Sequence, residues 1–209
     1  MSRTEVISMA YRNTRAIELR KDARRRTLLE AATRLFSKCG YHAATVPMIV
    51  AEARSSVGCF YTYFRNKEDI FAVILGTFGK EIEVVIREAR ESRSDPLLQM
   101  HCALEAGLLY LAQNPREARM LIVDSSGLSH RLEQLRKSIF WHQADECCRI
   151  LIASTPQFLT VNPLISARCL VGSVVEVLRC WLEESPNDRL SPADLARAVV
   201  DFNLRALLR

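Results

Sequence analysis

Residues 45–71, TVPMIVAEARSSVGCFYTYFRNKEDIF, decide the fold of this chain, because they hold two short helices and a tight turn. Thr45, the first residue of the stretch, is a typical N-cap, and Pro47 falls in the first helical turn, where its missing N–H has no cost. Ser56 can cap a second helix in which Phe60 and Phe64 repeat at i, i+4 and predict a buried face. The other faces of that helix carry Val57, Gly58, Cys59, Tyr61 and Thr62. Two helices joined in this way are typical of a DNA-reading helix-turn-helix.

Three motifs follow one another in this region. They are T-x-x-x-I, S-x-G-x-F-Y-x-Y-F and N-K-E-D-I-F, and the helix RRRTLLEAATRLFSKCGY precedes them. In this order they resemble the tetracycline-repressor (TetR) family of bacterial regulators over about residues 24–74. The resemblance implies an all-α fold of about nine helices, with a three-helix helix-turn-helix head that binds DNA and an all-helical body for effector binding and dimerisation.

The resemblance also implies roles for residues in and around the second helix. Ser56, Val57 and Cys59 would face base edges, Thr45, Tyr61, Tyr63 and Lys67 would hold phosphates, and Gly58 and Thr62 complete the predicted DNA-binding set. The chain departs from the family in the turn, where Arg54 stands in place of the glycine found in many members. If that position requires a positive φ, a residue other than glycine costs about 1 kcal/mol there.

Charge is distributed unevenly along the chain. Residues 1–66 carry 12 Lys and Arg against 5 Asp and Glu, a net +7, whereas residues 67–209 carry 17 against 19, a net −2, which together give +5. Seven basic residues precede or open the first helix: Arg12, Arg15, Arg20, Lys21, Arg24, Arg25 and Arg26. They predict either a nucleic-acid-binding arm or a solvated tail, and the adjacent helix-turn-helix favours the arm.

The sequence predicts three parts: a basic, flexible arm at 1–21, a helix-turn-helix DNA-binding domain at 22–66, and a helical ligand-binding and dimerisation domain at 67–209. In the third part, a capping residue followed by proline announces helix starts at Asp95-Pro96, Asn114-Pro115, Asn162-Pro163 and Ser191-Pro192. These signals predict helices at about 67–92, 96–113, 115–124, 128–154, 163–184 and 192–208.

Composition argues against several other classes of protein. A chain of 209 residues with 49% hydrophobic content can bury a core, and residues 1–21 contain no apolar block typical of a secretory signal. We therefore expect a cytoplasmic protein without a membrane partner. Seven cysteines, with no C-x-x-C pair, predict neither a disulfide framework nor a zinc ribbon.

We expect no cofactor and no metal. His142 and Glu146 have the i, i+4 spacing of two metal ligands, but a third ligand is missing, so a surface pair is preferred. A redox role for Cys59 or for the pair Cys147-Cys148 stays open, although neighbours on a helix project about 100° apart and are poorly placed to bridge each other.

The helix predicted at 163–184 is apolar except for one narrow stripe, so it must be covered on several sides. A partner subunit can form one wall of a four-helix seam, while the central helix of a monomeric bundle is the alternative. The predicted interface residues are Val171, Val175, Trp181, Leu195, Val199 and Phe202. Two heads are needed to bind a pseudo-palindromic operator, which favours the homodimer.

The resemblance favours an effector cavity in the body over plain core packing. Its predicted walls are Leu104, Leu108, Tyr110, Leu111, Ile122, His130, Ile139, Phe140, Trp141, Val174 and Leu178. Since few of these residues carry charge, the expected effector is apolar or weakly polar.

Together these features predict a ligand-responsive transcriptional regulator, a repressor released from palindromic double-stranded DNA by a small apolar effector. A ligand-binding or scaffolding helical protein with a degenerate head is the alternative, and it predicts no salt-sensitive retention on heparin or DNA. An enzyme has little support, because the chain lacks G-x-S-x-G, P-loop, G-x-G-x-x-G and H-E-x-x-H motifs.

Overall fold

A computed structural model describes residues 3–153 and 162–207, with side chains from residue 18 onward. Within these ranges it contains nine α-helices: α1 (Arg3–Ala43), α2 (Val46–Glu52), α3 (Val57–Tyr63), α4 (Lys67–Glu91), α5 (Pro96–Gln113), α6 (Pro115–Arg119), α7 (His130–Ala153), α8 (Pro163–Glu183) and α9 (Pro192–Leu207). A π-helical turn, Met120–Asp124, follows α6 directly. The described residues form no strand, so the all-α fold predicted from the sequence is confirmed. None of these helices is long and apolar enough to cross a membrane.

Side-chain caps fix most of the helix starts predicted from the sequence. Carboxylate, amide or hydroxyl oxygens of Asp95, Asn162 and Ser191 accept hydrogen bonds from first-turn N–H groups at 2.9, 3.1 and 3.1 Å. Asn114 differs, because its side-chain amide donates to the Tyr110 carbonyl at 2.8 Å and does not cap α6. The helix predicted at 115–124 is accordingly α-helical only as far as Arg119 and π-helical beyond it.

The chain divides into two compact units, Met1–Phe71 and Ala72–Arg209. This division lies slightly beyond the predicted boundary at residue 66, because Ile70 and Phe71 in the first turn of α4 are fully buried in the first unit. The backbone of residues 3–21 belongs to α1, and the mobility predicted for this arm in solution stays a prediction. Arg12 and Arg15 lie outside the residues whose side chains are described.

The first unit packs α1, α2, α3 and the start of α4 around aromatic side chains. The ring centroids of Phe36 and Phe71 are 5.0 Å apart, and those of Phe60 and Phe64 are 5.6 Å apart. Phe60 and Phe64 are both buried, which confirms the inward face predicted for the second helix of the motif. α1 is interrupted at Gly40, whose φ of 78° favours glycine.

In the second unit, α7 packs on α8 and α5 packs on α9. Trp181 of α8 is buried by its own chain, since its indole N–H donates to the Leu190 carbonyl at 2.9 Å and the Arg189 guanidinium lies 4.9 Å from the ring centroid. The sequence analysis expected Trp181 in a dimer interface, whereas contacts within its own subunit cover this side chain.

Candidate nucleic-acid interface and ligand cavity

The turn that follows α2 is a Schellman motif. The Ser55 N–H donates to the Val50 carbonyl at 2.8 Å, and the Arg54 N–H donates to the Ala51 carbonyl at 3.1 Å. This motif places the residue after the helix cap in the left-handed region, where glycine is usual. Arg54 occupies that position with a φ of 49°, so the residue that stands in place of the family's glycine does have a positive φ. The non-glycine residue costs about 1 kcal/mol.

α3 presents opposite faces to the core and to the surface. Ser56 caps it by accepting a hydrogen bond from the Cys59 N–H at 3.1 Å, and Phe60 anchors it in the core. Val57 and Tyr61 are 46% and 56% exposed. Among the other predicted DNA-binding residues, the exposed ones are Thr45, Gly58 and Thr62, and the half-buried ones are Cys59, Tyr63 and Lys67. The exposed face is thus formed by methyl and hydroxyl groups rather than by carboxylates.

Lys67 has a role inside the first unit. Its ammonium donates to the carbonyls of Tyr41 at 2.7 Å, His42 at 3.2 Å and Ala44 at 2.9 Å, and it lies 4.4 Å from the Tyr41 ring centroid. A cation is stabilised beside carbonyls at the end of a helix such as α1. Because an ammonium has three N–H donors, this arrangement competes with the phosphate contact predicted for Lys67.

We expect Lys67→Met to lower the free energy of unfolding by about 2 kcal/mol, because it removes charge-assisted hydrogen bonds to three carbonyls. Thermal melting followed by far-ultraviolet circular dichroism measures the loss. Lys67→Arg, which keeps the charge, is the control and should lose less. A Lys67→Met protein that melts like the wild type but binds DNA more weakly would instead support the phosphate contact.

A cavity of about 70 Å³ lies in the second unit between α4, α5, α7 and α8. Only Gln143 and Cys147 bring polar side chains to it among the described residues. The apolar walls are Ile82, Ile86, Ala103, Leu104, Gly107, Leu108, Leu111, Ile139, Phe140, Leu170, Val171, Val174 and Val175. Such a lining favours an apolar ligand over a charged one.

The sequence predicted part of this lining. The predicted effector residues that line the cavity are Leu104, Leu108, Leu111, Ile139, Phe140 and Val174. Of the others, Tyr110 donates its hydroxyl to Glu81 at 3.0 Å, Trp141 and His130 are exposed, and Ile122 and Leu178 are buried in the core away from the cavity. Helical periodicity shows which side chains point inward, but it does not show which of them border a gap.

The sequence analysis missed the contribution of α4 and of Gly107. A signal was present, because Ile82 and Ile86 continue the apolar face of α4 and Gly107 interrupts that of α5. A Cβ at Gly107 would lie 2.9 Å from Ile86 Cδ1, and a Cβ at Gly79 of α4 would lie 2.7 Å from Ile139 Cδ1. These two glycines therefore allow α4 to approach its neighbours closely beside the cavity.

Several polar residues near the cavity are buried or paired with other side chains. Burial raises the pKa of the Cys147 thiol to about 12, so the reactive thiolate is scarce at neutral pH. Glu146 pairs with Arg90 and Arg149, whereas His142 Nε2 lies 3.5 Å from a carboxylate oxygen of Glu83. The expected pair of His142 with Glu146 is replaced by these contacts, and the described residues contain no cluster of three or more metal-binding side chains.

Most of the residues predicted for the dimer interface lie inside the subunit. Val171 and Val175 line the cavity, and Leu195 and Val199, like Trp181, are buried within the subunit. Phe202 of α9 is 67% exposed, and Ile165 of α8 is another large apolar side chain on the surface. Among the predicted interface residues, Phe202 is therefore the one whose side chain is open to a partner subunit.

Ser56 caps α3, Phe60 anchors it in the core, and the surrounding unit carries an excess of basic charge. This arrangement is typical of a helix-turn-helix head. Residues 28–74 match the family model described as "Bacterial regulatory proteins, tetR family". The match is confined to this part of the chain, where the order of the motifs implied the resemblance.

Known proteins resemble this chain both in the head and along most of its length. YhgD, an uncharacterized HTH-type transcriptional regulator of Bacillus subtilis, is 38% identical over 78 residues, which span 37% of this chain and 39% of YhgD. FasR, an HTH-type transcriptional activator of Mycolicibacterium smegmatis, is 28% identical over 187 residues, covering 90% of this chain and 83% of FasR. The structure of the Bacillus subtilis transcriptional regulator FadR in complex with stearoyl-CoA has the same fold, with a TM-score of 0.74, 20% identity, and coverage of 86% of this chain and 97% of FadR.

Proposed function

We propose that this chain regulates transcription by binding a pseudo-palindromic operator as a homodimer and that a small apolar effector releases it. The exposed face of α3 carries the proposal, because the second helix of a helix-turn-helix enters the major groove. Both motif helices keep their caps, at Thr45 and Ser56, and Phe60 is fully buried. These features disfavour the alternative of a scaffold with a degenerate head.

The composition of α3 determines how DNA would be recognised. Val57 and Cys59 lack strong hydrogen-bond donors, so the operator would be recognised through thymine methyl groups and DNA shape more than through bidentate pairs to guanine. The hydroxyls of Thr45 and Tyr61 are suited to phosphate contacts, which set the register without specifying sequence. A regulator of this kind acts in the cytoplasm on the chromosome, and no catalytic role is proposed.

The cavity supports an apolar effector. Its 70 Å³ is less than the roughly 150 Å³ of an apolar cavity that binds benzene, so helices must part before a larger ligand can enter. The structure of FadR, which shares the fold, is a complex with stearoyl-CoA, a molecule with a long apolar chain. We therefore propose that the effector of this chain also has an apolar chain or ring, and that its polar end forms a hydrogen bond with the Gln143 amide.

Ligand entry would reach the DNA through α4. Ile82 and Ile86 of this helix form one wall of the cavity, and the same helix begins in the first unit. Because Gly79 and Gly107 leave little space beside α4, displacement of Ile86 or Ile139 would move the helix. A ligand that prefers the displaced arrangement shifts the population toward it and away from the arrangement that binds DNA.

The test begins with selection of bound fragments from the source genome, which gives an operator duplex. Compounds with apolar chains or rings are then screened for release of the protein, measured by fluorescence anisotropy of the duplex. Val174→Phe fills the cavity and should abolish release while operator binding persists. Val84→Phe, on an exposed part of α4, is the control and should respond like the wild type.

The possible outcomes separate the parts of this proposal. If the wild-type protein selects and retains no duplex, DNA binding is wrong. If Val174→Phe and the wild type are released alike, the effector acts somewhere other than the cavity.

A further inference from the structure

A polar groove of about 350 Å³ lies in the first unit between α1 and the turn of the helix-turn-helix. Its lining is Arg24, Thr27, Ala53, Arg54, Ser55, Ser56 and Cys59. The described lining residues thus include two guanidinium groups and three hydroxyls but no carboxylate. Such a set of groups is suited to an anion that accepts several hydrogen bonds.

Most other guanidinium groups described in this unit already have partners. Arg34 donates to Glu52 at 2.9 Å, Arg26 lies 3.9 Å from Glu30, and Arg25 lies 5.6 Å from the Phe64 ring centroid. Arg24 and Arg54 are both exposed, and neither guanidinium group forms an ion pair or hydrogen bond with another described residue. Their charge is therefore free to act on a ligand.

The backbone of Arg54 gives a second, independent observation. Its φ of 49° lies in the region that favours glycine, and a glycine there would complete the same Schellman motif without the strain. Backbone strain of this kind clusters at binding sites, where the side chain that causes it has a use. At Arg54 the side chain brings a cation to the groove.

We infer that Arg54 and Arg24 clamp one phosphodiester group of the DNA backbone in this groove, an inference that rests on the proposed function. Ser56 caps α3, Cys59 lies in its first turn, and both residues line the groove, so the bound phosphate would flank the major groove that α3 enters. The hydroxyls of Ser55 and Ser56 can donate to the same phosphate. The clamp fixes the position of α3 on the duplex and carries no sequence preference.

The substitution Arg54→Gly distinguishes the contribution of Arg54 to DNA binding from its contribution to the stability of the fold. Relief of the positive φ should raise the thermal midpoint by about 2 to 4 °C. Loss of one phosphate contact per head should weaken operator binding roughly tenfold per head at about 0.1 M salt and reduce the slope of log affinity against log salt by about 0.9 per head. Greater stability together with weaker binding is not expected of a merely structural residue.

Three further variants serve as controls. Arg24→Gln should reduce the salt slope like Arg54→Gly but without the gain in thermal midpoint, because its backbone is helical. Arg54→Lys keeps both the cation and the positive φ, so its salt slope and thermal midpoint should stay close to those of the wild type. Arg197→Gln removes one positive charge from the second unit and should leave the slope unchanged.

Anisotropy titrations of the selected operator duplex over a salt series, with thermal melts in the same buffers, give both readouts. If Arg54→Gly binds with the affinity and salt slope of the wild type, the clamp is wrong although the proposed function stands. If the wild-type protein binds no duplex at any salt concentration, the proposed function and the clamp fail together.

Discussion

Operator binding is expected to weaken by about 10³ to 10⁵ when the salt concentration rises from about 50 to about 200 mM. The net +7 of residues 1–66 is present twice in a dimer, and each phosphate that it neutralises releases condensed counterions. A loss of this size corresponds to about six to ten phosphate contacts, and anisotropy titrations at a series of salt concentrations give the slope directly.

The control for this experiment is the thermal midpoint of the protein in the same buffers. It should change little across the series, so that lost binding is not mistaken for unfolding. Binding that is flat in salt would contradict the DNA-binding proposal and favour the scaffolding alternative.

The helix-turn-helix could be predicted from the sequence because its determinants are local. The Ser56 hydroxyl caps α3 by accepting a hydrogen bond from the N–H of Cys59, three residues later. Phe60 and Phe64, which form the buried face, repeat at i, i+4, so each signal lies within one or two helical turns. The sequence raised a positive φ at Arg54 only as a condition, because many members of the family have glycine there, and it did not predict the Schellman motif that requires this φ.

The role of Lys67, the candidate cavity and the surface of the second unit were predicted less well, because they depend on contacts that helical periodicity does not indicate. Lys67 donates to the Tyr41 carbonyl, 26 residues away, and no local pattern indicates that contact. Trp181 is apolar and on the expected helix, but Leu190 and Arg189 cover it within the same chain. Helical periodicity predicts that such a side chain is buried, but it does not show whether its own subunit or a partner subunit covers it.

Phe202→Glu is expected to convert the dimer into a monomer and to lower operator affinity by about 10² to 10⁴. Phe202 is 67% exposed in one subunit, so its own fold does not depend on this ring, whereas a two-fold seam would bury the ring from both copies. The substitution therefore removes two apolar contacts and places two carboxylates in an apolar seam, where unpaired charge is costly. With single heads, the second half-site no longer binds at the high effective concentration that linkage provides.

Sedimentation velocity at micromolar concentration reports the assembly, and anisotropy on the operator duplex reports the affinity. Leu98→Glu, at an exposed leucine of α5, is the matched control and should remain dimeric with wild-type affinity. A Phe202→Glu protein that stays dimeric would place the seam elsewhere on the second unit. A wild-type protein that sediments as a monomer would contradict the homodimer itself, and with it the expectation that the operator is a palindrome.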